Sequence, residues 1–367
     1  MRMQSICAMH FAECIGFKWC KSSAFVFMNY AFAMRIRTFL TCCLFASLAS
    51  GVSMAQEDAT LDTQLKAIAE AHHGRVTLFA HNLKSGQTAS LSPDELVQTA
   101  SVIKLGVLLD AAEQIRAGKA TLDEKLVLTK PNQVGGSGVL GLMDTPLILT
   151  LRDTLTLMVV LSDNTATNLA IDSLGLAHID ATLRSAGLKD TILYKKVFVP
   201  ASGRMPADQP KFGLGKTTAR ESADLMERLA TCHLSLDASP VTDVTKLRDG
   251  KICGAILHML RSQQDRNSLP RYIETLDTGE HGSAIANKTG ALNQVRNDVA
   301  LIITKSGPVV IAAFTQDNID QRWTGDNEAE QTLGKLAKAV VDHWSPQGLD
   351  ADSFNWDDPP ADGKQPL

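Results

Sequence analysis

The sequence predicts an α/β chain of the α+β kind. One sheet draws strands from both ends of the domain, terminal helices cover it, and the middle forms an all-helical subdomain. Three observations lead there. Strand-like runs rich in Val, Ile and Ala occur at 75–83 and again at 283–291, 298–304 and 308–315. The long stretch between them carries apolar residues mostly at helical spacing. Helical patterns also bracket the strands, at 61–72 in front and 328–344 behind. A sheet joined from the two ends and covered by those helices leaves a cleft against the helical middle, where a site would lie.

The front helix carries Leu61, Leu65, Ile68, Ala69 and Ala71, and Gly74 ends it. A strand follows, and Lys84-Ser85-Gly86 reads as a hairpin turn. Ser101 heads a strongly apolar helix to about 117, stopped by Gly118. Helices are expected at 151–161, 165–174 and 179–186. Asp153 and Asp163 stand near the first two starts, where a carboxylate suits the helix dipole. Residues 190–215 hold Pro200, Gly203, Pro206, Pro210, Gly213 and Gly215 among scattered polar residues. They read as a long loop, and long loops in compact domains are usually functional or mobile. Thr217 to Glu221 opens a capped helix to about 231, and another spans 251–261. The closing helix places Leu333, Leu336, Ala337, Val340 and Val341 on one side.

The domain so described is 56–345. Residues 346–367 are polar and acidic and are expected to be a disordered tail. In front, Met34-Arg35-Ile36-Arg37 is a basic n-region, 38–52 is apolar, and Ser53-Met54-Ala55 fits a small-x-small cleavage rule. Residues 34–55 thus read as a signal peptide cleaved near Ala55, for a periplasmic or secreted protein. The apolar run is short for a spanning helix, so no stable membrane anchor is expected. Residues 1–33 precede that signal and read as a spurious extension, with Met34 as the start.

The 367 residues are 44% hydrophobic and 21% charged, ordinary for a globular chain. A formal charge of −4 and a pI near 6.1 give no reason to expect nucleic acid as a partner. Five of seven cysteines precede the cleavage site, leaving Cys232 and Cys253. In an exported protein these two could pair, or they could be two buried thiols.

Three short strings carry the chemistry. In Ser101-Val102-Ile103-Lys104 the serine and lysine are three apart at a helix start, on one face of its first turn. A serine hydroxyl is a weak nucleophile unless a neighbour takes its proton, and a lysine whose pKa burial has lowered can do so. A capping serine with a snorkelling lysine is the bland alternative for this string alone. Ser162-Asp163-Asn164 lies between two helical patterns, where Ser162 can pass a proton and Asn164 can hold a substrate amide. There Asp163 reads as a capping residue. Lys288-Thr289-Gly290 sits in a strand-like run. Lys288 and Thr289 can bind a carboxylate, and Gly290 lets the strand backbone run close alongside a substrate and pair with it. Arg296 is a candidate second clamp. Together the strings supply a nucleophile, a base, a proton relay and an anion clamp, with no metal or cofactor called for.

In that order the strings resemble the signature elements of the penicillin-recognising serine hydrolases, and within them the class A β-lactamases. Ser162-Asp163-Asn164-Thr165-Ala166 before an apolar helix, Leu269-Pro270-Arg271-Tyr272, and Arg296-Asn297-Asp298-Val299-Ala300 extend the resemblance over about 60–344. It implies an antiparallel sheet flanked by terminal helices, with the site in the cleft beside the helical subdomain. It implies Ser101 as acylated nucleophile, Lys104 as its base and Ser162 as proton donor to the lactam nitrogen. Asn164 would hold the acylamino group, and Lys288 and Thr289 the carboxylate. The N–H groups of Ser101 and Ala291 would form the oxyanion hole. The implied partner is a small β-lactam or an acyl-D-Ala-D-Ala-like molecule, met by a monomer.

Class A enzymes also carry a loop glutamate that activates water for deacylation. No glutamate lies between Asn164 and Glu221. The 190–215 segment offers only Asp190 and Asp208, and Glu221 reads as a capping residue. The alternatives to a β-lactamase are therefore a penicillin-binding or sensing protein that stays acylated, and a peptidase or esterase acting on cell-wall peptides or small esters.

Overall fold

The structure, a computed structural model, describes residues 60–203, 205–234, 243–273 and 283–350. The proposed extension, the signal peptide and its cleavage site lie outside the described residues. The chain runs α1 (60–70), β1 (Arg75–Asn82), β2 (Thr88–Leu91), β3 (Val97–Gln98), a 3₁₀ turn at Ala100–Ile103, and α2 (Lys104–Arg116). Then come β4 (Lys125–Leu128), β5 (Leu147–Thr150), α3 (Leu151–Val160), α4 (Asn164–Leu174), α5 (Leu176–Ser185) and β6 (Ile192–Leu193). The rest is α6 (Gln209–Phe212), β7 (Gly215–Thr217), α7 (Ala219–Thr231), α8 (Asp243–Arg261), β8 (Ile285–Leu292), β9 (Val295–Thr304), β10 (Gly307–Gln316) and α9 (Glu328–Trp344).

The main sheet has the order β2-β1-β10-β9-β8, antiparallel throughout, so the two ends of the domain meet where β1 pairs with β10. Both faces are buried, and the period of two decides which residue faces which layer. Ala300, Ile302, Ile311 and Ala313 join Leu61 and Leu65 of α1 and Leu333, Leu336 and Val340 of α9 in one core cluster. Val299, Leu301, Ala312 and Phe314 join Leu105, Leu108, Met226 and Ile256 of the helical layer in the other. A slip of one residue would exchange both sets, so the register is strongly fixed.

Caps set the helix starts beside the future site. The Thr150 hydroxyl accepts from Asp153 N at the head of α3, Asp163 from Ala166 N at α4, and Thr218 from Glu221 N at α7. Cys232 and Cys253 are bonded, tying the end of α7 to α8, so the choice left open by the sequence is settled for a disulfide. Helix α8 begins eight residues earlier than the pattern predicts. The long 190–215 segment holds β6, α6 and the start of β7, and β3-β7-β6 form a small second sheet. The chain beyond 345 does not loosen at once. Lys305 N–H donates to Gly348 O, Asp350 N–H donates to Ile303 O, and Leu349 packs on the α9 side of the sheet. The tail expected from 346 is therefore anchored as far as 350, and 351–367 lie outside the described residues. No helix among the described residues is long and apolar enough to cross a membrane.

Candidate active site

The turn that carries Ser101 is held from two sides. Strand β8 is the free edge of the sheet, and it runs against the 3₁₀ turn that carries Ser101. A Cβ on Gly290 would lie 2.7 Å from Thr99 O, 2.9 Å from Val102 N and 3.0 Å from Ser101 N. What approaches Gly290 is thus the backbone of Thr99 and of the turn that carries Ser101. From β9, the Asn297 amide donates to Gln98 O (2.8 Å) and Thr99 O (3.2 Å), and its own oxygen accepts from Gln316 Nε2 (3.2 Å). These braces fix the two residues before the turn. They let Ala100 hold a φ of +45°, a region that costs any residue with a Cβ. Asn297 has a positioning role that the sequence reading passed over. The available signal was its place directly opposite Gly290 once β8 and β9 are paired.

Ser101 lies in the 3₁₀ turn and not at the head of the α-helix, and Lys104 opens α2 three residues on, a spacing that eclipses side chains in a 3₁₀ turn. It is fully buried among Val102, Ile103, Leu105, Val107 and Leu108, each at most 1% exposed. Its Nζ donates to Ser162 O (2.6 Å) and to Asn164 Oδ1 (3.2 Å), and it lies 3.1 Å from Ser162 Oγ. Burial pushes its pKa well below the ordinary lysine value, and the nearby Lys288 ammonium pushes the same way, against the opposing field of Asp163. Two pure acceptors use the two N–H groups of a neutral amine, which leaves its lone pair for a hydroxyl proton.

Ser162 sits at the break between α3 and α4 with φ +52°. Its Oγ also receives a hydrogen bond from Lys288 Nζ at 3.1 Å, so one hydroxyl joins two buried lysines. Lys288, on β8, donates further to Thr289 O (2.8 Å), and burial lowers its pKa to about 8 although the carboxylates of Asp298 and Asp265 pull it up. Two ammonium groups on one hydroxyl would repel. The geometry favours Lys104 neutral and Lys288 charged.

Asp163 does more than cap. Its carboxylate also accepts from Val139 N (2.6 Å) and Leu140 N (2.8 Å), pinning the 137–140 turn against α4. A Cβ on Gly138 would lie 2.2 Å from that carboxylate, and φ there is +98°, so the turn requires glycine. The Asn164 amide already serves Lys104 through its oxygen and Gly135 O through its nitrogen (3.1 Å). One N–H and one lone pair remain for a ligand.

Behind β8, on the α9 face, Asn287 Nδ2 donates to both oxygens of the buried Asp298 (3.0 Å each). Leu269 N donates to Asp298 as well, and Arg266 donates to Asn287 Oδ1. Burial raises the Asp298 pKa to about 7. The native state holds an extra proton there between 3.8 and about 7, so this group subtracts from stability as pH rises through that window.

The structure joins Lys104, Ser162, Asn164 and Lys288 in one hydrogen-bonded cluster, and the turn that carries Ser101 packs its backbone against Gly290, between Thr289 and Ala291 on the edge strand. Arg296 does not join them. Period two puts it on the α9 face, where its guanidinium donates to Leu292 O, Val295 O and Arg322 O, pairs with Glu330 at 3.1 Å and stacks on Trp323. It is 2% exposed and holds structure rather than forming a second clamp. Glu221 also departs from expectation. Its backbone takes the cap, but its carboxylate accepts from Lys189 N (2.8 Å), Asp190 N (3.0 Å) and the Thr191 hydroxyl (2.6 Å), clasping the start of the long loop. Farther along the loop, Asp208 is held by Lys216 Nζ (2.7 Å) and Tyr194 (3.0 Å). Nearer the centre of the loop, Asn168 grips the backbone of Val197 with both ends of its amide, at 2.7 and 3.0 Å.

Among solved structures, a β-lactamase from Sphaerobacter thermophilus is 29% identical over 77% of this chain and 95% of its own, with a TM-score of 0.63. PBP-A follows at 23% identity over 77% and 96%, TM-score 0.60. A variant of the class A β-lactamase of the last common ancestor of Gram-negative bacteria has 21% identity over 78% and 98%, TM-score 0.60. The last two show the shared fold. Among curated protein sequences none matches. The profile of the Beta-lactamase enzyme family matches residues 60–344, the whole of the domain that carries the cluster around Ser101. The chain belongs to the Beta-lactamase enzyme family.

Proposed function

We propose that the protein opens β-lactam rings through an acyl-enzyme on Ser101, in the manner of class A. The observation that carries this is the single Ser162 hydroxyl bridging buried Lys104 and Lys288 beside the Ser101 turn. Neutral Lys104 takes the proton of the Ser101 hydroxyl as its oxygen attacks the lactam carbonyl. Negative charge gathers on the carbonyl oxygen, within reach of the N–H groups of Ser101 and Ala291. As the ring C–N bond breaks, the leaving nitrogen takes a proton from Ser162, which recovers one from Lys104. Charged Lys288, with Thr289, holds the substrate carboxylate. Asn164 offers its remaining N–H and lone pair to the acylamino group. Water then cleaves the ester and restores Ser101. The resistance role, the exported location and the monomeric state are parts of the same proposal.

The second reading is a penicillin-binding protein that acylates and stays acylated. One observation favours it: no glutamate lies between Asn164 and Glu221, and Glu221 and Asp208 are engaged in holding the loop. PBP-A, of similar fold, has been captured through one of its mutants in an acyl-enzyme complex with penicillin G. Nitrocefin separates the readings. The lactamase reading expects many equivalents opened per protein, all lost in Ser101→Ala. Release of a single equivalent with a lasting adduct would replace it with the second. Turnover of D-Ala-D-Ala peptides or small esters above that of lactams would favour a peptidase or esterase.

The two lysines also fix a pH profile. Acylation needs Lys104 neutral and Lys288 charged, so the rate falls at low pH as Lys104 gains a proton and at high pH as Lys288 loses one. The alkaline limb is expected near pH 8 for a carboxylate-bearing lactam, since burial lowers Lys288 to about that value. Single-turnover acylation rates measured across pH 5–10 check it, and a flat profile from 7 to 10 would contradict the assignment of Lys288.

A further inference from the structure

Phe198 is an apolar side chain with no part in the proposed acylation. It is 69% exposed, and its backbone sits at φ +56°, a region unfavourable to any residue with a Cβ. Such strain persists only where the surroundings over-determine it. Here they do. The preceding residue, Val197, is buried and gripped through both N–H and C=O by Asn168 of α4, and Lys195 Nζ donates to Val199 O at 3.1 Å. The turn holds its flanks down and thrusts one aromatic ring outward.

The ring emerges beside Asn164. A Cβ placed on Gly136 would lie 2.6 Å from Asn164 Nδ2 and 2.9 Å from Phe198 Cε2, so amide and ring edge meet at one point of the cleft wall. φ at Gly136 is +83°, which keeps that position free of a side chain. A group bound to the free N–H and lone pair of Asn164 would lie beside the exposed ring of Phe198.

We infer that Phe198 is a specificity-determining residue: an aromatic platform that selects substrates whose acylamino group carries an aromatic or bulky apolar ring. This rests on the reading of Ser101 as a nucleophile acylated by lactams. It assigns the substrate class of that site from a loop residue that takes no part in proton transfer.

The test compares acylation of Ser101 by benzylpenicillin, which carries a phenyl ring on its acyl group, and by 6-aminopenicillanic acid, which keeps the bicycle and carboxylate but lacks the acyl group. Second-order acylation rates are read by intact mass on the full chain. Phe198→Ala is expected to lower the benzylpenicillin rate about threefold to tenfold, the range one aromatic contact supplies, with the 6-aminopenicillanic acid rate unchanged. Phe198→Tyr should retain the wild-type ratio. An equal fall with both substrates, or no change with either, overturns the platform while leaving the acylation reading intact. Absence of any adduct on the wild-type protein with either lactam overturns that reading and the platform with it.

Discussion

Lys104→Met is expected to slow acylation of Ser101 by about 10²- to 10⁴-fold, the range that one positioned acid–base group contributes. Methionine fills much the same volume, so the apolar pocket of Val102, Ile103 and Leu108 stays packed. What is lost is the proposed base, together with the group that returns a proton to Ser162. The change also leaves Ser162 O and Asn164 Oδ1 short of a donor, at about 1–3 kcal/mol for each buried unpaired group. Removing a buried amine offsets part of that, so the melting temperature should move far less than the rate. Acylation by a lactam, followed by intact mass in the variant and the wild type, reads the effect. A rate within threefold of wild type would show that another group deprotonates Ser101.

Gly290→Ala is expected to produce the second largest effect, through geometry alone. The new methyl meets Thr99 O, Val102 N and Ser101 N at 2.7–3.0 Å, all of them backbone atoms of the turn that carries Ser101 or of the residue before it. No side chain can swing aside, so either the turn or the edge strand must shift. A displacement of about 1 Å at a reacting group can cost around 10²-fold. Because β8 also carries Lys288, the shift would alter the anchor of the carboxylate too. Acylation rates in Gly290→Ala should therefore fall by about two orders of magnitude while the circular dichroism spectrum is retained. Unchanged rates would mean that β8 is free to move away from the turn.

Much of this site was legible before any coordinates. Ser101 and Lys104 share a helix face by their spacing, Ser162 and Asn164 lie at a break between two apolar helices, and the closing helix begins at Glu328 and ends at Trp344 as its period predicts. The resemblance joined these strings into one site, which spacing alone could not do, because nothing local says that 101, 162 and 288 converge. Arg296 shows the limit from the other side. Its strand alternates, so Arg296 and Asp298 must share one face and Asn297 and Val299 the other. Which face meets Ser101 depends on the partner layers, and those lie far away in sequence. Strands β4 and β5 escaped for a related reason. Each is four residues long, and their pairing spans the turn that Asp163 pins, so no local alternation marks them. Glu221 shows that a correct local reading can be incomplete. Its backbone N–H donates to the capping Thr218 hydroxyl of α7, and its carboxylate reaches thirty residues back to hold Thr191 instead of closing the cap.

Ser101 Oγ is the atom proposed to attack a lactam carbonyl. The most direct test is intact mass and peptide mapping of the protein after brief exposure to benzylpenicillin, with acid quenching. The expected result is a gain equal to the whole lactam, mapped to the peptide containing Ser101 and absent from Ser101→Ala. An unmodified protein at millimolar lactam, or the same gain on Ser101→Ala, would contradict it.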